Sequence, residues 1–190
     1  MFRIPEKEIR LYHGTVRDHR NIDLGVCRDD TDFGQGYYLT TIPFQAEDWA
    51  KRNGTAGWVY EYVLDWPREF HVLCLEDYNE DWLGLITYHR LWGIYGQEKM
   101  RSLLGAANPE SCDIILGGMA DNARAADLPE ILKDYWKTRN AKKTLNRIRP
   151  RKNMDQFCFK TEAAVHLLTR RRAWKWTRVH GKWIREDRGL

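Results

Sequence analysis

The stretch "DFGQGYYLTT", Asp32 to Thr41, sets two glycines two residues apart and follows them at once with aromatic, aliphatic and β-branched residues. Glycines so placed punctuate the chain, and Tyr, Leu and Thr favour an extended backbone, so the stretch predicts a tight turn feeding a strand. Upstream, "LYHGT", Leu11 to Thr15, reads as the end of a short strand over Ile9 to His13 with a histidine and a glycine at its exit. Downstream, Thr41 is placed to cap a helix over "PFQAEDWAKR", with Pro43 in its first turn. Within that helix, Gln45 and Glu47 read as surface groups.

Further along, "GWVYEYVLD" (Gly57 to Asp65) and "FHVLCLE" (Phe70 to Glu76) predict strands, the first with Trp58, Tyr60, Tyr62 and Leu64 on one face. A helical region follows from Asn79 to Leu104, then an apolar strand in "CDIILGG" (Cys112 to Gly118). Leu128 to Ile148 predicts one long, increasingly basic helix. "DQFCFK" (Asp155 to Lys160) alternates as a strand, and "TEAAVHLLTRRR" predicts a helix capped by Thr161. The tail "WKWTRVHGKWI" predicts a hairpin turning at His180 and Gly181. The pattern is α/β in the α+β sense: a sheet interrupted by helices.

A chain of 190 residues with 43% hydrophobic and 31% charged residues fits one well-buried core and a single domain, 1–190, rather than disorder. No apolar run is long enough to span a membrane, and "MFRIPEKEIR" carries charges where a signal peptide has its apolar stretch. Cys27, Cys74, Cys112 and Cys158 form no CxxC pair, so neither a zinc site nor a disulfide framework is expected, and a reducing cytoplasm fits. The histidines show no ligand pairing, and no metal is expected. Net charge is only +4, but "KTRNAKKTLNRIRPRK" (Lys137 to Lys152) and "RRRAWKWTRVHGKWIR" (Arg170 to Arg185) contain no acid. Such segments suit phosphates or acidic surfaces, and in the basic, Trp-rich segment 170–190, Trp174 and Trp176 are candidate stacking platforms for nucleic-acid bases.

Taken in order, "YHG" at 12–14, "FGQGYYLT" at 33–40 and "DQFCFKT" at 155–161 resemble the three strand-borne signals of the ADP-ribosyltransferase superfamily, in its diphtheria-toxin-like and poly(ADP-ribose)-polymerase-like branch. The closest likeness is to an uncharacterised bacterial family of that superfamily, some of whose members pair with a small antitoxin. The resemblance spans Leu11 to the helix after Thr161. It implies a split, mainly antiparallel sheet around an NAD cleft, NAD as co-substrate, and an intracellular toxin that transfers ADP-ribose to a nucleic acid or protein acceptor. It also implies roles: His13 holds a ribose hydroxyl, the Gly14 main chain holds the nicotinamide amide, and Thr15, Gly36, Tyr37 and Tyr38 line the cofactor. Tyr38 matches the stacking tyrosine, with Tyr37 the alternative one register away; alternation lets only one of them face the ligand.

The third signal departs from the family, which opens its last strand with a catalytic glutamate where this chain has Gln156. Asp155 and Glu162 are candidates for compensation. A neutral amide in place of the carboxylate leaves a bond about half as strong, a loss of roughly 1–2 kcal/mol, or about tenfold in rate. The catalytic set implied is therefore His13, Tyr38 and Gln156, suited to single transfers of ADP-ribose rather than polymer growth. Two alternatives stand beside it: a silent module that binds NAD or ADP-ribose, and a basic nucleic-acid-binding protein. Asp113 and Asp121, flanking the glycines of "DIILGG", read more plainly as a strand cap and a turn residue.

Overall fold

The computed structural model describes residues 1–19, 21–66, 69–105, 107–120, 127–148 and 154–189. Eight strands form two four-stranded sheets among these residues. The first sheet orders β1 (Ile9–Thr15), β3 (Ala56–Leu64), β7 (Thr169–Val179) and β8 (Lys182–Arg188), antiparallel throughout. The second orders β2 (Tyr37–Leu39), β6 (Asp155–Phe159), β5 (Ile114–Gly118) and β4 (Val72–Cys74), antiparallel except for the parallel β4–β5 pair. With six helices, this is the mixed α+β class expected from the sequence.

The two sheets meet edge to edge at one backbone bridge. Tyr12 N–H donates to Thr40 O at 2.8 Å and Thr40 N–H donates to Tyr12 O at 3.0 Å. Beyond Tyr12, β1 continues alone to Thr15, still paired with β3 but no longer with β2.

Alternation places Tyr60, Tyr62 and Leu64 of β3 in the main core, with Trp58 packed beside them, as the aromatic spacing predicts. The opposite face of β3 carries Val59 into a smaller cluster with Ala46, Ala50 and Trp174. Helix α1 (Pro43–Ala50) lies across that face, so closely that a Cβ on Gly14 or Gly57 would collide with the carbonyl oxygens of Ala46 and Ala50. These two glycines therefore set the distance between helix and sheet. On the core side, α2 (Glu80–Tyr95) buries Trp82, Leu83, Leu85, Ile86, Tyr88 and Leu91, and the Trp82 indole donates to Gly118 O at 2.8 Å. Its start is capped by Asn79, whose side-chain oxygen accepts from Trp82 N–H. A short α3 (Gln97–Met100) follows.

Four local expectations are corrected. Thr41 does not cap α1: the residue at the cap is Ile42, with no side-chain bond, and the Thr41 hydroxyl donates to the Asp155 carboxylate instead. A charged acceptor makes the stronger bond, and Thr40 Oγ1 and Thr41 N–H donate to the same carboxylate, at 2.5 and 3.0 Å. Gln45 is buried rather than superficial and donates to Asp155 O at 2.8 Å. The long basic helix is two, α4 (Leu128–Thr138) and α5 (Ala141–Ile148), because Arg139 adopts a left-handed conformation (φ 54°) and Asn140 then accepts from Lys143 N–H as a new cap; the remainder of that basic segment, 149–152, lies outside the described residues. Finally, α6 (Glu162–His166) is capped by Thr161 as expected but ends early, since Thr169, Arg170 and Arg172 already pair with β3 as the start of β7. The hairpin turn is as expected: His180 and Gly181 both have positive φ, 48° and 79°, the combination of a type I′ turn.

Gly57→Ala is expected to destabilise the protein by about 2–3 kcal/mol or more through forced separation of α1 from β3, read as a lower urea midpoint. A midpoint equal to the parent would show that the helix can withdraw without cost.

Candidate functional site at the β1 exit

His13 lies on β1 one residue past the inter-sheet bridge, and its ring is fixed on two sides. Its Nδ1 is 2.7 Å from Tyr38 O, and its face stacks on Tyr37 with centroids 4.1 Å apart. A carbonyl oxygen only accepts, so Nδ1 carries the proton and Nε2 is left as an unprotonated acceptor. No described residue bonds to Nε2. Burial pushes the imidazole pKa down to about 3, against the opposing effect of the Tyr38 bond and with help from neighbouring His19. The ring is therefore neutral at physiological pH.

Gly14 follows with an open backbone. In an antiparallel pair, residues alternate between bonding the partner strand and pointing away from it. Tyr12 points away from β3, toward Thr40, so Gly14, two residues on, points the same way. Here, however, β2 has already diverged, and among the described residues no hydrogen bond reaches the Gly14 N–H or C=O. The Gly14 N–H and C=O thus turn toward the gap between the sheets, next along the strand from the His13 ring that Tyr38 O and Tyr37 hold. Thr15 closes the strand, its hydroxyl accepting from Arg17 N–H at 3.2 Å.

The two tyrosines separate as alternation demands. Tyr37 is only 4% exposed, lies beneath His13, and has its hydroxyl 3.1 Å from that of Tyr62. It supports the histidine and has no free face. Tyr38 is partly exposed on the other side of β2; its hydroxyl accepts from Phe33 N–H at 2.8 Å and lies 2.8 Å from both Thr31 Oγ1 and Gly34 O. Its phenol pKa is raised well above the usual value by burial. The ring is thus anchored to the glycine turn that precedes it. In that turn, Gly34 (φ 76°) rests against His89, and Gly36 against Cys158 and Phe159.

Gln156 shares a sheet face with Tyr38, because Cys158 faces Tyr38 across the β2–β6 pair and Gln156 is two residues away. Its Nε2 donates to Asp32 Oδ2 at 2.9 Å and to Gly118 O at 3.1 Å. Neither proposed compensating acid joins it. Asp155 accepts the three Thr40 and Thr41 donors, and Glu162 is exposed in the first turn of α6. Asp113 accepts from His71 N–H and the Thr161 hydroxyl, a local tie, and Asp121 lies outside the described residues. Trp174 is buried with its ring under Arg185 (4.3 Å), so it offers no free face for a base, and Trp176, half-buried, has Lys51 over one face of its ring (3.6 Å). Two surface depressions, of about 390 Å³ at Glu8, Arg10, Glu61, Val63, Arg171 and Arg172, and of about 200 Å³ at Leu24, Gly25, Gln35, Gly36 and Lys160, do not include His13.

Asp32 and Arg90 escaped the sequence reading. Asp32 is buried, and Arg90 on α2 holds it at 2.6 and 2.9 Å. Its position directly before Phe33-Gly34 was the one available signal; nothing marked Arg90.

A protein-family model of unknown function (DUF3990) matches residues 9–169, from the start of β1 to the first residue of β7. The chain belongs to this family. The match takes in His13, the glycine turn and Gln156, and leaves all but the first residue of the β7–β8 hairpin outside. No curated protein and no solved structure matches the chain. Among the described residues, no helix is long and apolar enough to cross a membrane.

Burial also holds His89 down to about 3. For both histidines the unfolded chain takes up a proton near pH 6.5 that the folded chain refuses until about pH 3. Stability is therefore full above about pH 6.5 and falls as pH drops from there toward 3. Urea midpoints are expected to fall over that window, less steeply in His13→Gln, and nitrogen NMR is expected to place the His13 proton on Nδ1. A proton on Nε2 at neutral pH would contradict the acceptor role.

Proposed function

We propose that the protein is an NAD-dependent mono-ADP-ribosyltransferase that cleaves the nicotinamide–ribose bond and passes ADP-ribose to a macromolecular acceptor. The observation that carries this reading is the open β1 exit. A primary carboxamide has one acceptor oxygen and an NH₂ donor, which complement the N–H and C=O that Gly14 turns toward the gap. One residue before, His13 Nε2 is an acceptor, complementary to a ribose hydroxyl and not to a second acceptor. Nicotinamide joined to ribose offers both groups in that order.

The chemistry asks little else of the chain. As the C1′–N bond breaks, its electron pair leaves with nicotinamide and positive charge grows on the ribose, as in glycoside cleavage. Rigid holding of the carboxamide and the hydroxyl orients the breaking bond, and Tyr38, anchored through its hydroxyl, offers its partly exposed ring to the leaving group. Gln156 supplies a neutral acceptor and is no base, so the incoming nucleophile loses its proton to solvent or to its own surroundings. That favours one transfer over polymer growth. A role as an intracellular toxin restrained by a small antitoxin, in the cytoplasm, rests on the resemblance to the superfamily, as does the choice between nucleic-acid and protein acceptors.

A second reading is favoured by Gln156 alone: a module that binds NAD or ADP-ribose without turnover. The nucleic-acid-binding alternative rests on the basic segments; a cation already lies over one face of each of Trp174 and Trp176.

With NAD labelled in its adenylate part and a bacterial extract, the parent chain is expected to release nicotinamide and label an acceptor, and His13→Ala to lower both by about 100-fold or more. NAD binding without release would establish the second reading, and no NAD binding would remove both.

A further inference from the structure

We infer that Asp32 is the positioning residue of Gln156: its carboxylate, held by Arg90 one layer behind, grips the glutamine NH₂ and so sets which way the amide oxygen points. The ligand half of this inference rests on the proposed NAD reading; the pairing itself does not.

Asp32 is 3% exposed and Gln156 is 7% exposed, so their contact is largely shielded from water. Every strong donor around Asp32 is accounted for. Its Oδ1 accepts from Arg90 Nη2 at 2.6 Å and Nε at 2.9 Å, and its Oδ2 accepts from Ala120 N–H and Gln156 Nε2, each at 2.9 Å. Arg90 is itself fixed, donating through Nη1 to Asp30 O at 2.8 Å. On the other side of the amide, Gln156 Nε2 gives its second hydrogen to Gly118 O.

Two acceptors facing one NH₂ leave the amide a single orientation. Turning it over would set Oε1 against a carboxylate and a carbonyl at once, two repulsions in place of two bonds. Oε1 accepts no hydrogen bond among the described residues and is not sealed from solvent, so it is the atom presented outward. A carboxylate bonded to the NH₂ end polarises the amide and strengthens its oxygen as an acceptor for a hydroxyl. A glutamate in place of Gln156 would do the opposite, placing a second negative charge against Asp32 in a buried contact. The glutamine is therefore the residue that this partner requires, and the departure from the family pattern belongs to a pair, Asp32 with Gln156.

The test uses the full chain and three variants: Gln156→Glu, Asp32→Asn, and the two combined. NAD affinity is measured by calorimetry and stability by urea midpoint. Gln156→Glu is expected to lose about tenfold or more in affinity and to unfold at lower urea, because the two carboxylates oppose each other. Asp32→Asn is expected to stay folded and lose a similar factor. In the combined variant the carboxylate and the amide exchange places, so the amide introduced by Asp32→Asn can donate to the carboxylate introduced by Gln156→Glu, restoring one charge and one bond between the two positions. It is expected to bind NAD better, and to unfold at higher urea, than Gln156→Glu alone. A combined variant no better than Gln156→Glu in either measurement overturns the pairing, and lowered midpoints with unchanged NAD affinity overturn the positioning role. If the parent chain binds no NAD, the proposed function and the ligand half of this inference fall together, and the urea midpoints alone decide whether the two residues are coupled.

Discussion

The exchange of two backbone hydrogen bonds between Tyr12 and Thr40 is the constraint on which the rest of the molecule depends. It is the point at which the edge of one sheet meets the edge of the other, and β1 and β2 part immediately beyond it. The parting leaves Gly14 paired with β3 on one side and with no second strand on the other. It also brings Tyr38 O within reach of His13, so the same junction that joins the sheets orients the imidazole. Neighbouring bonds reinforce it: the Asp155 carboxylate gathers the donors of Thr40 and Thr41, and Gln45 ties α1 to the same residue.

The polar groups of the candidate site are neutral. His13, on the Tyr37 face of β2, is kept neutral by burial, Gly14 contributes backbone dipoles beside it, and Gln156, on the Tyr38 face, is an amide with a charged pair behind it. Asp32 and Arg90 compensate one another within the fold rather than facing solvent as isolated ions. A buried carboxylate is tolerable when a guanidinium and amide donors satisfy both oxygens, as they do here. On the proposed reading, that arrangement suits a reaction whose transition state carries a spreading positive charge and whose substrate presents a carboxamide and hydroxyls.

Much of the fold was legible because its signals are local. The turn at Gly34 and Gly36, the alternation along Trp58, Tyr60, Tyr62 and Leu64, the Thr161 cap and the His180-Gly181 turn each follow from what those residues do to their own backbone. Expectations failed where a distant partner competed with a local preference. Thr41 is a good cap by type, yet a carboxylate more than a hundred residues away is the stronger acceptor. The three arginines after Thr169 suit a helix, yet the free edge of β3 takes them as a strand, since unpaired edge groups are costly to leave open. In the site, His13, Gly14 and Gln156 carried motif signals, whereas Asp32 and Arg90 acquire meaning only by meeting.

By itself, the sequence determined the α+β class, the strand that ends in His13-Gly14, the glycine turn that precedes Tyr37-Tyr38, and the absence of an acid at position 156. These are matters of residue type, spacing and backbone preference, which act over a few residues. Only the tertiary structure decided which tyrosine lies beneath the histidine, which imidazole nitrogen is free, where β1 loses its neighbour, and that Gln156 faces a carboxylate. Each of those depends on groups far apart in the chain, brought together by the pairing of two sheets at a single bridge.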